Sequence, residues 1–268
     1  MTASFNQILI VDSLPDGEVN TAEHLFEDVR GWAHILGEAP HVVRVRVEAG
    51  VEFLALLEQR AALARRDSYA PLLHIECHGS DEGLQFADGS NLTWEAMRPA
   101  FVSLNEATRM NLIVVVAACS GSSIASTVQV QDRAPLWAFL APKQDIGSLA
   151  LEASLSAFYQ TLLATRSAEA ALGALRSTEA GLLFMYSSAQ TMYRLVVEGY
   201  EREHGSAEAI QRQAERLCAM AGQHGFGWSV DQVEALIRDP QIFEGFRRRF
   251  FMMDLFPENA HRFQEAAK

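Results

Sequence analysis

The chain has 268 residues, 22 of them Lys or Arg and 34 Asp or Glu, which leaves a formal charge of −12. Hydrophobic residues make up 49% and charged residues 21%, apolar material enough for a sizeable core, and a disordered chain is excluded. Such a charge speaks against duplex nucleic acid or an anionic membrane as the main partner, because both require a dense basic face.

Three cysteines are an odd number and make no secreted disulfide framework, so a reducing cytoplasm is the expected setting. The opening MTASFNQILIVDS has no basic flank, and its apolar run stops after Val11, too short for the core of a signal peptide. No stretch approaches 18 apolar residues, so no membrane insertion is expected.

The first 145 residues read as alternating strands and helices. QILIVD at 7–12 is a short apolar strand that runs into Ser-Leu-Pro-Asp-Gly, which is turn chemistry. From Thr21 the residues Leu25, Val29, Trp32 and Leu36 recur at helical spacing, with Gly37 as the stop. HVVRVRVE at 41–48 alternates as a half-exposed strand, and a second helix ends near Arg65-Arg66-Asp67. PLLHIECHG at 71–79 and NLIVVVAACSG at 111–121 are apolar, β-rich runs that stop abruptly in small or polar residues. Between them EGLQFADGSNLTW predicts a small hairpin around Asp88-Gly89, with Thr93 capping the next helix. APLWAFLAP at 134–142 predicts another core strand. The helix after it carries Leu155, Phe158, Tyr159, Leu162 and Leu163 on one face.

Beyond about residue 167 the pattern is mainly helical, with GLLFMYSS at 181–188 as a last strand and helix breaks at Gly205-Ser206, Gly222 to Gly227 and Pro240. Apolar strands separated by helices predict an α/β fold, a mostly parallel central sheet of about six strands covered on both faces, followed by C-terminal helices. Whether those last helices form an appendage or pack on the sheet is left open by the sequence.

Reactive groups in open parallel sheets sit where strands end and loops converge. His78 closes one such run and is followed by Gly79, and Cys119 closes the other, followed by Ser120-Gly121. The stretch between them has room for a hairpin and one crossover helix, so the two strands are expected side by side. A histidine there can activate a thiol as a nucleophile. The N–H groups of Gly79 and Cys119 are then candidates for an oxyanion hole. The competing reading makes Cys119 a small core residue, since cysteine is among the most buried residue types. The conjunction of both groups at adjacent strand ends favours chemistry.

The segment HIECHGSDEGLQFADGSNLTWEAM followed by LIVVVAACSG resembles the caspase-like cysteine peptidases, particularly the bacterial caspase-like and CHAT-type branch. AFYQTLL and SSAQTMYRL resemble the C-terminal part of that family, and the resemblance covers residues 5–200. It implies a peptidase domain over 1–200 with a helical extension over 201–268. It also implies His78 and Cys119 as a catalytic dyad that cleaves peptide bonds in protein substrates under the control of a regulatory protein partner. Many bacterial relatives appear in defence or cell-death pathways, so a role of that kind is implied too.

In that family the residue two before the catalytic cysteine lines the first specificity pocket, and here it is Ala117. The loop after the first strand, with Asp12 and Asp16, contains no Arg, so a basic or small cleavage site is expected and an acidic one disfavoured. The stretch 120–133 is short, which implies a single-chain enzyme. The second reading is a catalytically idle fold that acts through partner binding.

Other residues carry less. Glu76 shares a face with His74 and His78 by period two and reads as a structural carboxylate. Cys77 and Cys218 read as packing residues. Neighbouring strand residues point apart, so no metal site is expected from Cys77, His78 and Cys119, and no nucleotide-phosphate motif implies a cofactor. Arg247-Arg248-Arg249 reads as a solvated helix face, with an apolar cluster from Phe250 to Phe256 after it.

Overall fold

The computed structural model describes residues 4–36 and 40–264. These residues form two sheets. The larger has the order β2-β1-β3-β7-β8-β9, built from Gln7–Asp12 (β1), His41–Arg46 (β2), Pro71–Glu76 (β3), Ile113–Ala117 (β7), Ala138–Pro142 (β8) and Phe184–Ser188 (β9). Five strands run parallel and β9 pairs antiparallel with β8. The smaller sheet holds His78–Gly79 (β4), Gly83–Gln85 (β5) and Asn91–Thr93 (β6), all antiparallel.

Composition sets position within the large sheet. All six residues of β3 and all five of β8 are buried, as central parallel strands covered on both faces must be. The strand β2, with two arginines among its valines, is half-exposed at the edge, where charged side chains also discourage pairing with another chain.

Helices layer both faces. Thr21–Leu36 (α1), Ser148–Thr165 (α4) and Ala168–Arg176 (α5) bury Leu25, Val29, Leu155, Phe158, Leu162 and Leu175 against Ile8, Ile10, Leu72, Val115 and Leu140. Gly50–Arg66 (α2) and Trp94–Ala107 (α3) pack on each other, with the Phe53 ring 5.4 Å from Phe86 and 6.3 Å from Phe101. Thr93 caps α3 by accepting from the Ala96 N–H, as its hydroxyl at that position predicts. Gly37, the expected stop of the first helix, lies outside the described residues.

The chain divides into two compact units, one of Met1–Val128 with Pro135–Ser188, the other of Gln129–Ala134 with Ala189–Lys268. The division falls earlier than residue 200, because Ala189–His204 (α6) groups with Ala207–Gln223 (α7), Val230–Ile237 (α8), Pro240–Phe250 (α9) and Asn259–Arg262 (α10). The breaks between these helices fall at the Gly-Ser, Gly-rich and Pro positions that the sequence marks. In this second unit Tyr193 lies 5.1 Å from Phe250 and 5.3 Å from Phe251, and Phe251 stacks on Phe263 at 4.6 Å.

Phe250, Phe251, Met252 and Met253 are core residues, while Leu255 is exposed. The arginine run is not uniformly solvated. Arg247 pairs with Glu244 and donates to the Phe263 carbonyl at 2.6 Å, and Arg249 pairs with Asp132 at 3.3 Å. Long aliphatic stems let these side chains bury carbon while the charged ends reach acids. Among the described residues no helix is long and apolar enough to cross a membrane.

Candidate active site

The candidate site forms at the carboxyl ends of β1, β3 and β7, three consecutive strands of the sheet. Their register aligns Asp12 with Glu76 and Glu76 with Ala117. His78 stands two residues past Glu76 and Cys119 two residues past Ala117, so both leave the sheet at the same level. The strand β3 itself stops at Glu76, and His78 opens the small antiparallel sheet. His78 is exposed and Cys119 is partly exposed.

Gly79 is closely fitted against the cysteine segment. A Cβ at this residue would lie 2.5 Å from the Cys119 carbonyl oxygen and 2.8 Å from the Ala118 Cβ. Its missing side chain therefore lets the backbone after β3 close directly onto the backbone that carries the thiol.

Around this contact the loops are pinned from outside. Ser123 donates to Asp81 at 3.1 Å, which joins the segment after Cys119 to the segment after His78. The Trp94 indole N–H donates to the Ser80 carbonyl at 3.3 Å, and Arg98 donates to the Thr127 carbonyl at 2.9 Å. Both come from α3, so one helix holds both loops. Ser120 has φ 51°, a left-handed conformation uncommon outside glycine, and it turns the chain sharply after Cys119 into a 3-10 helix at Gly121–Thr127. Strain of this sort persists only where neighbouring structure enforces it, and it clusters at functional sites.

The imidazole of His78 faces Glu18, whose Oε1 lies 3.0 Å from Nε2. Glu18 comes from the loop after β1, the strand adjacent to β3. A carboxylate can only accept, so the pair places the proton on Nε2 and leaves Nδ1 as the basic nitrogen. Sequence reading passes over Glu18 because the two residues are 60 positions apart and strand order is not legible from composition. The available signal is an acidic residue in the loop of a strand that would neighbour the histidine strand.

Asp12 and Ala117, both candidates for substrate contact, are buried and present no surface. Asp12 is an organiser of the β1 loop. It accepts from the Leu14 N–H and Asn20 and sits between Arg44 at 3.6 Å and Arg46 at 3.1 Å. Ala117 packs within the sheet core. Asp16 is fully exposed and pairs loosely with Arg46 at 3.4 Å. Arginine does reach this loop after all, from β2 in place of the loop itself, and Arg46 spends its donors on Asp12, the Leu14 carbonyl, Asp16 and Glu48. Its pKa is raised first by the Glu48 hydrogen bond and then, after an opposing effect of burial, by Asp12.

Glu76 is a structural carboxylate. It is buried, accepts from the Thr21 hydroxyl, and lies 3.0 Å from His74 Nε2, whose Nδ1 is 3.0 Å from the Tyr159 hydroxyl. Burial, and secondarily the nearby Glu76 charge, push the Tyr159 hydroxyl well above its usual pKa. Burial likewise pushes the Cys77 thiol far up, which keeps it protonated and inert. Cys218 lies on α7 in the second unit. Among the described residues no three His, Cys, Asp or Glu side chains gather into a group that could hold a metal ion.

The arrangement offers a partly exposed thiol, an imidazole with an oriented tautomer, and backbone N–H groups at a tight junction. These are the parts that acyl transfer from a carbonyl to sulfur requires. Neither the family models nor the curated proteins contain a match to this chain.

Proposed function

We propose that the protein is a cysteine endopeptidase of the caspase-like type, with His78 and Cys119 as its dyad. The observation that carries this reading is the common level at which His78 and Cys119 leave neighbouring parallel strands, with Gly79 fitted against the Cys119 backbone. In the reaction His78 Nδ1 takes the proton of Cys119, and the thiolate attacks the scissile carbonyl carbon. The C=O electron pair moves onto oxygen, where the Gly79 and Cys119 N–H groups receive it. As the tetrahedral adduct collapses, the C–N bond breaks and the imidazolium gives its proton to the departing amine. Water, deprotonated by the same imidazole, then cleaves the thioester and regenerates the thiol. Glu18 holds the ring throughout.

Asp16, Glu18, Asp81 and Glu82 are exposed around this junction, while Arg46 is engaged with acids of its own. That distribution supports the preference for a basic or small residue at the cleavage site. The enzyme acts as a single chain on one or a few protein targets, under a partner's control, in a regulated pathway such as bacterial defence or cell death. Incubating the full chain with a peptide library and reading the products by mass spectrometry tests the activity. Cleavage that disappears in Cys119→Ala and favours Lys, Arg or small residues is expected. Cleavage that persists in that variant would reject Cys119 as the nucleophile, and no cleavage at all would favour an idle fold that acts by binding.

A further inference from the structure

A cavity of the sheet-bearing unit has no part in this chemistry. It encloses about 720 Å³ at the opposite end of the sheet, where Asn6 precedes β1 and where Leu72 and Ile113 lie near the starts of β3 and β7. His78 and Cys119 lie beyond the other ends of those strands, on the order of 20 Å away at ~3.3 Å per residue. The volume falls within the ~300–1,000 Å³ of small-molecule sites. A packed interior has few voids larger than a water molecule, so a space of this size is not ordinary packing.

Its walls are chemically divided. The floor is the sheet, with Leu72, Ile113, Val115 and Phe139, and the roof is α4, with Phe158 and Leu162. At the α4–α5 corner stand Arg166, Ser167 and Glu169. Arg166 ends α4 with φ 53°, a left-handed C-cap that carries its exposed side chain to the cavity rim. Ser167 spends its hydroxyl as the cap of α5. The corner thus presents one cation, one anion and a polar helix start beside a mainly apolar interior, in which Ser4, Asn6 and Tyr186 are the other polar residues.

We propose that this cavity binds a single-chain amphiphile of fatty-acid type, its hydrocarbon tail along the sheet and its carboxylate at Arg166. The tail matches the apolar floor and roof. The carboxylate matches a planar guanidinium, which takes it in two parallel hydrogen bonds. Glu169 on the same rim disfavours a doubly charged head more than a singly charged one, since repulsion grows with the charge. The proposal is independent of the peptidase reading, because no residue of the cavity belongs to the His78–Cys119 junction.

The test is calorimetric titration of the full chain with laurate below its micelle concentration, alongside decanoate and dodecanol. One-to-one binding is expected. Laurate should bind about tenfold more tightly than decanoate, the factor that burying two further methylenes gives, and more tightly than dodecanol. Leu172 of α5 also lines the apolar wall, and Leu172→Glu, which charges that wall, should abolish binding. Arg166→Asn keeps a residue that tolerates the left-handed cap, and it should bring laurate down to the affinity of dodecanol. Melting temperatures with and without laurate guard against a misfolded Leu172→Glu chain, since bound ligand raises the value for the unaltered protein by mass action. Unsaturable uptake, equal affinity for laurate and dodecanol in the unaltered protein, or laurate binding unchanged in both variants would overturn the proposal.

Discussion

At the scale of single residues the site turns on how differently two cysteines and two histidines are treated. Cys77 and Cys119 belong to equivalent strand ends, yet one is enclosed and the other reaches solvent. With its pKa raised by burial, Cys77 stays a thiol across the neutral range, because the thiolate forms only when the pH exceeds the raised value. Iodoacetamide at pH 7 to 8 is therefore expected to alkylate Cys119 well before Cys77, as peptide mapping would show; equal rates would refute the assignment. His74 is locked in the Glu76–Tyr159 chain, while His78 has an exposed ring held by Glu18. Replacing Glu18 by Ala should lower kcat/KM by about tenfold, less than the ~10²–10⁴ that a general base itself supplies. Steady-state kinetics on a cleaved peptide should place the loss in kcat and leave KM unchanged; a loss confined to KM would contradict the role given to Glu18.

At the scale of elements, two features decide whether the loops stay in register. Gly79→Ala puts a methyl group 2.5 Å from a carbonyl oxygen of the backbone that bears the thiol, where there is no flexible side chain to yield. The backbone must move, so the variant should lose most of its activity and about 1–3 kcal/mol of stability, as overpacked sites do. Tyr159→Phe leaves His74 short of a partner in a buried place and should cost about 1–3 kcal/mol in urea unfolding. A midpoint unchanged by either substitution would contradict the packing described.

Much of this was legible in advance. Apolar runs ending in His78-Gly79 and Cys119-Ser120 marked two central strands, and Asp88-Gly89 and Thr93 marked the hairpin and helix cap by local chemistry alone. What stayed hidden depends on which strands are neighbours. The pairing of Arg44 and Arg46 with Asp12 and of Glu18 with His78 follows from β1 lying between β2 and β3. No periodicity encodes that order. Asp12 and Ala117 looked available for substrate because sequence shows which residues end a strand but not which of them the next layer covers.

At the scale of the whole molecule, the informative segment is Gln129–Ala134. In sequence it is a short connection between the thiol-bearing stretch and the next strand. By its contacts it belongs with the C-terminal helices. Arg133 forks onto Asp254 with contacts of 2.9 and 3.0 Å, Asp132 accepts from Arg249, and the Ala134 N–H donates to the Phe250 carbonyl at 3.1 Å. These partners lie more than a hundred residues away along the chain, beyond the reach of any local signal.

The Arg133 hydrogen bond lowers the Asp254 pKa, most of all among its causes. A depressed folded pKa means that the contribution of the pair is complete above the ordinary carboxylate value near 3.9. It is lost as pH falls through the lower folded value. Arg133→Ala should lower the protection factors of the amides across 129–134 at neutral pH, and acidification should lower them in the unaltered protein but not further in the variant. Unaltered protection in Arg133→Ala would show that the helices hold this segment by other means.

The central claim is that a thiol and an imidazole from separate strands act as one unit. A thiol-reactive peptidyl probe with a basic first residue, applied to the full chain and to Cys119→Ala and His78→Ala, measures that directly. Stoichiometric labelling confined to Cys119 is predicted, abolished in Cys119→Ala and slowed about 10²–10⁴-fold in His78→Ala. Labelling at Cys218, or at Cys119 with the same rate in the absence of His78, would contradict it.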